Sequence, residues 1–522
     1  MLPDRIDQDS IERREYQHAI YRAVKDQNAL VVLPTGLGKT IIGAFVVAHR
    51  LQQGSVLFLA PTKPLCEQHA GLLREVLTIP DDAIELITGE THGPEAREAA
   101  WTGDYFIAVA TPQTVANDIE AGRVPVDGIS LIVFDEAHRA VGEYAYVTVA
   151  DAYLEHAQSP QTLGLTASPG TEFERLVEVA ANLRLEAVEF RTEFSEDVEP
   201  YVGEFRFEWR EVEKPPAVER AEAHLNDLLA EHIDELASYT KQAKNLQAET
   251  APKMAFIDIQ NRFQQRLQTG GGGYLYHAVT LAAAALKLTH LKTLLTTQGP
   301  QAAVRYLEDL VEEDSKAAKR LLDSDEIAAV EDILGDGVDN RKLAVTEEIL
   351  IDHFSGDGGP VMVFAEYRHT VDLLVEKLTE LDGVTPERFV GQAGEGMSQD
   401  EQKETLDRFG ASEFNTLVST AIGEEGIDVP ATALVVFFEP VPSTIRLIQR
   451  RGRTARDGRP GRAVVLLMKG SVDEAAYWKA IHGESEMYAH VERLKDELDG
   501  GRTARQLLRV HGAMSQSNLG RF

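Results

Sequence analysis

The chain has 522 residues but a single cysteine, Cys66, three tryptophans, and only 52 Lys and Arg against 85 Asp and Glu. One cysteine excludes an internal disulfide framework and a cysteine zinc site. No apolar run approaches the ~18 residues a membrane span needs, and the Ala-rich stretch 278–286 is too short. The opening residues, MLPDRIDQDSIERRE, are charged where a signal peptide would be apolar. These absences predict a soluble, cytoplasmic chain with no membrane partner. The shortage of cations argues against ordinary nucleic-acid binding, since Lys and Arg on phosphates supply most non-specific affinity. The net charge is −33, and the acids are spread along the chain rather than gathered in one tail. Such a surface fits a halophilic protein of high-salt cytoplasm, where the Debye length is ~3 Å and long-range attraction is screened. An acidic protein of ordinary salt is the alternative. A DNA-binding protein in such salt must rely on close contacts from backbone N–H groups and individual arginines.

What the chain does contain is a phosphate loop. Residues 33–40 read LPTGLGKT, between the apolar stretches 29–33 and 41–47. Thr35, Gly36 and Gly38 make a glycine turn between a buried strand and a helix, where backbone N–H groups and the helix N-terminus can bind phosphate oxygens. Lys39 can reach the β- and γ-phosphates and the Thr40 hydroxyl can ligate Mg²⁺. Further on, LIVFDEAHR places Asp135 and Glu136 at the carboxyl end of a second buried strand. Asp135 can hold Mg²⁺ through water, and Glu136 can orient and deprotonate an attacking water. The pair predicts hydrolysis of a nucleoside triphosphate.

Length alone suggests roughly three domains. From residue 29 to about 185, apolar runs at 56–61, 84–89, 106–111, 131–136 and 162–168 alternate with helical patterns. That alternation predicts a parallel sheet covered by helices. A second such region has strands at 361–367, 387–391, 416–420, 433–440 and 463–468. Strand signals fade after VGEFRFEWREVE (202–213), and long charged helical stretches follow. The expected units are an α/β domain over 1–203, a helical insert over 204–343, a second α/β domain over 344–475, and a C-terminal helix with a flexible tail over 476–522. The glycines at 270–273 follow no strand and read as a joint between helices.

Other runs sit where strands end. Gln17 lies upstream of the first strand, Pro61 and Thr62 follow the second, and Thr111 follows another. Each of these last two sites opens a helix whose N–H groups can meet polynucleotide phosphates. Thr166 and Ser168 close the last strand of the first domain. In the second domain STAIGEEGIDVP holds Thr420 and Asp428, and QRRGRTAR holds Gln449, Arg453 and Arg456. Such arginines can neutralise charge on a transferring phosphoryl group.

The ordered set PTGLGKT, APTKPL, TPQ, DEAH, TASPG, STAIGEEGIDVP and QRRGRTAR resembles a superfamily 2 helicase across about residues 14–470. Within it the chain most resembles the archaeal Hef and FANCM-type DNA helicases. The closer signs are GQAGEGMSQDEQKETLDRF (391–409), EPVPSTIRLIQRRGRTAR (439–456) and LKTLLTTQGPQAAVRYLEDL (291–310). Antiviral RNA-sensing helicases share this architecture and a helical insert, which leaves a duplex-RNA-dependent ATPase switch as the alternative.

The resemblance implies two RecA-like domains, ATP and Mg²⁺ as ligands, and forked or branched DNA as partner in a nucleoid-associated repair protein. It makes Gln17 an adenine contact and Lys39, Thr40 and Asp135 the phosphate and Mg²⁺ residues. Glu136 becomes the water activator, while His138, Thr166 and Ser168 couple ATP to nucleic acid. It also makes Pro61, Thr62, Thr111 and Thr420 coupling or nucleic-acid residues. Asp428 would approach the ribose, and Gln449, Arg453 and Arg456 would close the site. Family inserts resemble a polymerase thumb, which offers Lys241, Lys244, Lys253, Arg262, Arg266, Lys287 and Lys292 as phosphate contacts.

Many Hef proteins continue into a nuclease with a Gly-Asp…Glu-Arg-Lys…Asp site. The nearest stretch here, GDGVDNRK (335–342), has Asn340 in place of the metal-binding Glu, so nuclease activity is not expected. Ala455 stands where the arginine motif more usually has glycine. The ending QSNLGRF fits Q-x-x-L-x-x-F through Gln516, Leu519 and Phe522, resembling the peptide that docks on a sliding clamp.

Overall fold

A computed structural model describes the chain except residues 1–2, 90–92, 104–105, 203–204, 271, 336, 357, 392–395, 421–429, 431, 441–460 and 519–522. Seven strands form the first sheet: β1 Ala29–Val32, β2 Ser55–Leu59, β3 Ile84–Ile87, β4 Ile107–Ala110, β5 Ile129–Asp135, β6 Thr162–Thr166 and β7 Ala187–Phe190. All pairings are parallel, in the order β3-β4-β2-β5-β6-β1-β7. The strands are short and apolar because both faces are covered, as parallel sheets require. Leu30, Val32, Leu57 and Leu59 point into one core, while Ala29, Val31, Val56 and Phe58 point into the other. The covering helices are α1 Glu15–Val24, α2 Lys39–Arg50, α3 Lys63–Val76, α4 Pro94–Trp101, α5 Pro112–Glu120, α6 Ala145–His156 and α7 Phe173–Asn182.

The second sheet is also parallel, in the order β10-β11-β9-β12-β13-β8. Its strands are β8 Phe205–Val212, β9 Val361–Phe364, β10 Pro386–Phe389, β11 Thr416–Ser419, β12 Leu434–Phe437 and β13 Gly461–Met468. Two RecA-like parallel-sheet domains are therefore present. The boundary expected at residue 204 is corrected. Strand β8 pairs along its whole length with β13, from Phe205↔Gly461 to Val212↔Met468. It belongs to the second domain, although its partner lies about 250 residues downstream.

The helical insert follows β8. It comprises α8 Pro216–Ala237, α9 Lys253–Gln268, α10 Leu275–Thr293, α11 Pro300–Glu312, α12 Lys316–Leu322 and α13 Asp325–Gly335. Leu225, Leu229, Phe256, Phe263, Leu281 and Leu288 are part of its core. The apolar helix in this insert is longer than the sequence suggested: residues 275–298 would reach across a membrane by length and composition. Most of it is buried among the neighbouring helices, so it reads as a packing helix. The nuclease look-alike is a helix cap. Asn340 accepts from Leu343 N and donates to Gln298 O, starting α14 Arg341–Phe354 of the second domain. A side chain at Gly299, where φ is +106°, would collide with that Asn340 amide. The second domain is completed by α15 Arg368–Thr379 and α16 Gln399–Gly410.

Two helices follow the second sheet in the C-terminal region. Helix α17, Val472–Asp499, starts against the second domain through Tyr477 and ends in the first-domain core through Val491, Leu494 and Leu498. Helix α18, Ala504–Asn518, adds Ala504 and Leu507 to the same core. Lys495 pairs with Glu189 of β7 at 2.7 Å, and the Arg493 guanidinium lies 3.9 Å from the Phe173 ring centre. These apolar positions hold both helices on the first domain.

Candidate active site

Three neighbouring strands end on one rim of the first sheet. Their order, β5-β6-β1, puts Asp135, Thr166 and the 33–40 loop side by side. Leu33 N donates to Thr166 O at 3.1 Å, so the loop leaves β1 already tied to β6. Gly36 (φ +86°) and Gly38 (φ +77°) occupy the left-handed region that glycine adopts without strain. Gly38 also meets α1. A Cβ there would lie 2.4 Å from Gln17 Nε2. Tyr16 Oη and Gln17 Nε2 both donate to Leu37 O, at 2.7 and 3.1 Å. Gln17 is thus buried against the loop, with its amide nitrogen engaged there.

Lys39 opens α2 and its Nζ donates to Leu33 O at 3.2 Å. This glycine-lined turn, with a lysine folded over it and N–H groups at a helix start, fits a polyphosphate. Thr40 follows in the first turn, and Asp135 faces the loop from β5. A hydroxyl and a carboxylate of this kind form a hard-oxygen set suited to Mg²⁺ held jointly with phosphates.

Asp135 is almost fully buried. Burial alone would raise its pKa, but His69 and then Lys39 overcome that and hold the carboxyl below the usual range. His69 Nε2 sits 2.8 Å from Asp135 Oδ2, and Tyr146 Oη donates to Asp135 O at 2.5 Å. Neither His69 nor Tyr146 belongs to a motif read from sequence. A signal existed for His69: it shares the buried face of α3 with Cys66, Ala70 and Leu73. A histidine on an apolar face asks for a partner. Cys66, on the same face, has its thiol pushed up to about 12 by burial and is inert.

Glu136 has φ +50° and ψ +50°, a left-handed conformation that turns its side chain back towards β6. Its Oε2 lies 3.3 Å from His138 Nδ1 and accepts from Thr166 Oγ1 at 3.5 Å. His138 Nδ1 and Thr166 Oγ1 are 3.1 Å apart, and Thr166 Oγ1 accepts from Ser168 N at 3.1 Å. The four residues form one connected network. Among the described residues, Ser168 Oγ is buried without a hydrogen-bond partner.

On the other side of β5, strands β2 and β4 end beside each other. Thr62 caps α3 and Thr111 caps α5, in each case without a capping bond from the hydroxyl. Thr111 Oγ1 instead lies 2.8 Å from Thr114 Oγ1. Pro61 precedes Thr62, so two helix N-termini face one edge. Thr420 follows β11, and its N–H donates to Phe389 O. Asp428, Gln449, Arg453 and Arg456 lie outside the described residues. Gln516 falls within α18 rather than in a free tail, while Leu519 and Phe522 lie outside the described residues.

Two insert residues offered as phosphate contacts are committed elsewhere. Lys292 is buried and donates to Asn226 Oδ1, Ala248 O and Glu249 O. Lys287 is paired with Glu313. Lys241, Lys244, Lys253, Arg262 and Arg266 are exposed.

Comparison with known proteins agrees with the fold. Residues 10–171 match the family described as type III restriction enzyme, res subunit, and residues 341–458 match the helicase conserved C-terminal domain. The solved helicase domain of Pyrococcus furiosus Hef is 41% identical, with 91% of this chain and 100% of that one covered at a TM-score of 0.73. A putative ATP-dependent RNA helicase of Methanocaldococcus jannaschii is 38% identical over 92% of this chain and 60% of its own length. The ATP-dependent DNA helicase mph1 of Neurospora crassa is 33% identical over 88% of this chain and 41% of its own length. The chain thus spans between about two fifths and three fifths of the length of these two curated relatives, 60% of the first and 41% of the second.

Proposed function

Because the chain belongs to the Hef and FANCM-type helicases of superfamily 2, corresponding to their helicase part, we propose that it is an ATP-dependent DNA helicase or translocase acting on forked or branched DNA in replication-fork repair. One observation supports this most. A single sheet rim carries the phosphate loop, the acidic pair and the Glu136–His138–Thr166–Ser168 network, with two helix N-termini beside them.

In this reading Gln17 faces the adenine, and Thr35, Gly36, Gly38, Lys39 and Thr40 wrap the phosphates. Thr40 and Asp135 would hold Mg²⁺, which would neutralise charge on the phosphoryl oxygens. Glu136 orients the attacking water and takes its proton. Asp428, Gln449, Arg453 and Arg456 approach from the second domain. Pro61, Thr62, Thr111 and Thr420 meet the DNA backbone. His138, Thr166 and Ser168 pass the state of the site to that edge.

The insert supports a partner with unpaired strand, as at a fork. From Ile259 to Leu307 there is no Asp or Glu, in a chain carrying 85 of them. That stretch presents Arg262 and Arg266 to solvent, with Tyr274 and Tyr276 exposed nearby. Cations for phosphates and rings for unpaired bases are the two elements of single-strand recognition.

The test is ATP hydrolysis in high-salt buffer with single-stranded DNA, a fork, a four-way junction and duplex RNA in parallel, using Glu136→Gln as the blank. Greatest stimulation by forks or junctions, followed by strand displacement lost in Glu136→Gln, is the expected result. Greatest stimulation by duplex RNA without displacement would move the protein to an RNA-dependent switch.

A further inference from the structure

Helix α3 does more than cover the sheet. It starts at the polynucleotide edge and two turns later presents His69 to Asp135, Nε2 to Oδ2 at 2.8 Å. His69 is 5% exposed and Asp135 7%. The imidazole is held on its other side by Phe58 of β2, with ring centres 4.7 Å apart and planes at 41°. Strand β2 is the neighbour of β5, so the ring is wedged between the strand beside Asp135 and the carboxylate itself. Tyr146 fixes the Asp135 carbonyl from α6. The carboxylate is therefore restrained at both its main chain and its side chain.

Attaching α3 to the sheet does not require this pair. Cys66, Ala70, Leu73 and Val76 already bury an apolar stripe there. A buried ionisable pair is weak at holding elements together, because desolvating both groups offsets most of their attraction. An apolar residue at position 69 would anchor the helix at least as well. What it could not do is fix the direction of a carboxylate. Side chains that orient a metal-binding carboxylate typically matter ~10–100-fold in metal affinity.

We propose that His69 is a positioning residue that holds Asp135 in the orientation needed to receive the Mg²⁺ that accompanies the nucleotide. This rests on reading Asp135 as the Mg²⁺-side carboxylate. His69 reaches that ion only through Asp135 and touches neither nucleotide nor metal. One oxygen of Asp135 is kept on the imidazole, leaving the other side of the carboxylate to the loop.

The experiment titrates Mg²⁺ into the full chain with a fluorescent ATP analogue and reads the Mg²⁺ concentration for half-maximal tight binding. His69→Leu should raise that concentration ~10–100-fold. Its analogue affinity in EDTA, set by the glycine loop and Lys39, should stay within about twofold. His69→Gln keeps a donor facing Asp135 and should restore the wild-type midpoint to within about threefold. A purely structural role would lower the melting temperature and weaken binding alike with and without Mg²⁺, and Gln would not rescue it. An unchanged midpoint in His69→Leu, or identical behaviour of the Leu and Gln variants, overturns the proposal. If His69→Leu does not fold, His69→Asn, whose shorter amide withdraws from Asp135, takes its place. Asp135→Asn runs alongside. No loss of Mg²⁺ dependence there would show that the reading of Asp135 had failed instead.

Discussion

Glu136 is one of four non-glycine residues at positive φ among those described, and it sits where hydrolysis would occur. A left-handed conformation costs an ordinary residue roughly 1–2 kcal/mol, and such strain gathers at functional sites. Here it places Oε2 within reach of Thr166 and His138. A second residue with a large cost is His290 in the insert. Burial, then Lys253, His369 and Lys287, push its pKa from 6.5 down to about 4. The unfolded chain takes up this proton first as pH falls. Stability from the neutral ring is therefore complete above pH 6.5 and is lost as pH drops towards about 4. Allowing for partial exposure, the loss is roughly 1–3 kcal/mol. The urea midpoint of wild type should fall more steeply than that of His290→Gln as pH drops from 6.5 to about 4; parallel acid limbs would contradict this. Residues of this scale were legible only where consecutive letters carry the chemistry. The 33–40 loop and the Asp135–Glu136 pair are contiguous, whereas His69 meets Asp135 across 66 positions and no spacing rule encodes it.

At the scale of elements, α17 is the part the sequence described least well. Its periodicity announces a helix but not which core it enters. The structure sends its first turns to the second domain and its last turns to the first. Near its middle, Met487 packs on Ala167, between the network residues Thr166 and Ser168. Leu494→Asp would bury a charge without a partner in the first-domain core, a change costing several kcal/mol in general. The expected outcome is faster hydrogen exchange across 490–510 with protection of β1 and β5 unchanged. Global loss of protection would mean that these helices are part of the first domain's own folding unit. Strand β8 makes the same point. Its alternation was visible, yet its membership in the second sheet depends on eight pairings with β13.

For the molecule as a whole, the net charge of −33 sets the conditions under which any of this operates. Self-repulsion of that size weakens with screening, so the melting temperature should climb by several degrees between about 0.2 and about 2 M KCl. A flat or falling curve would remove the high-salt reading and leave an acidic protein of ordinary salt. The sequence by itself determined the two parallel-sheet domains, the phosphate loop and the acidic pair, because apolar runs and short motifs are local in the chain. Tertiary structure alone decided the strand order that sets β5, β6 and β1 side by side, the sheet that β8 joins, the His69–Asp135 contact and the path of α17. Each of these depends on which distant segments pack together. That choice is made by burial and hydrogen-bond pairing summed over the whole chain, not by any one stretch of it.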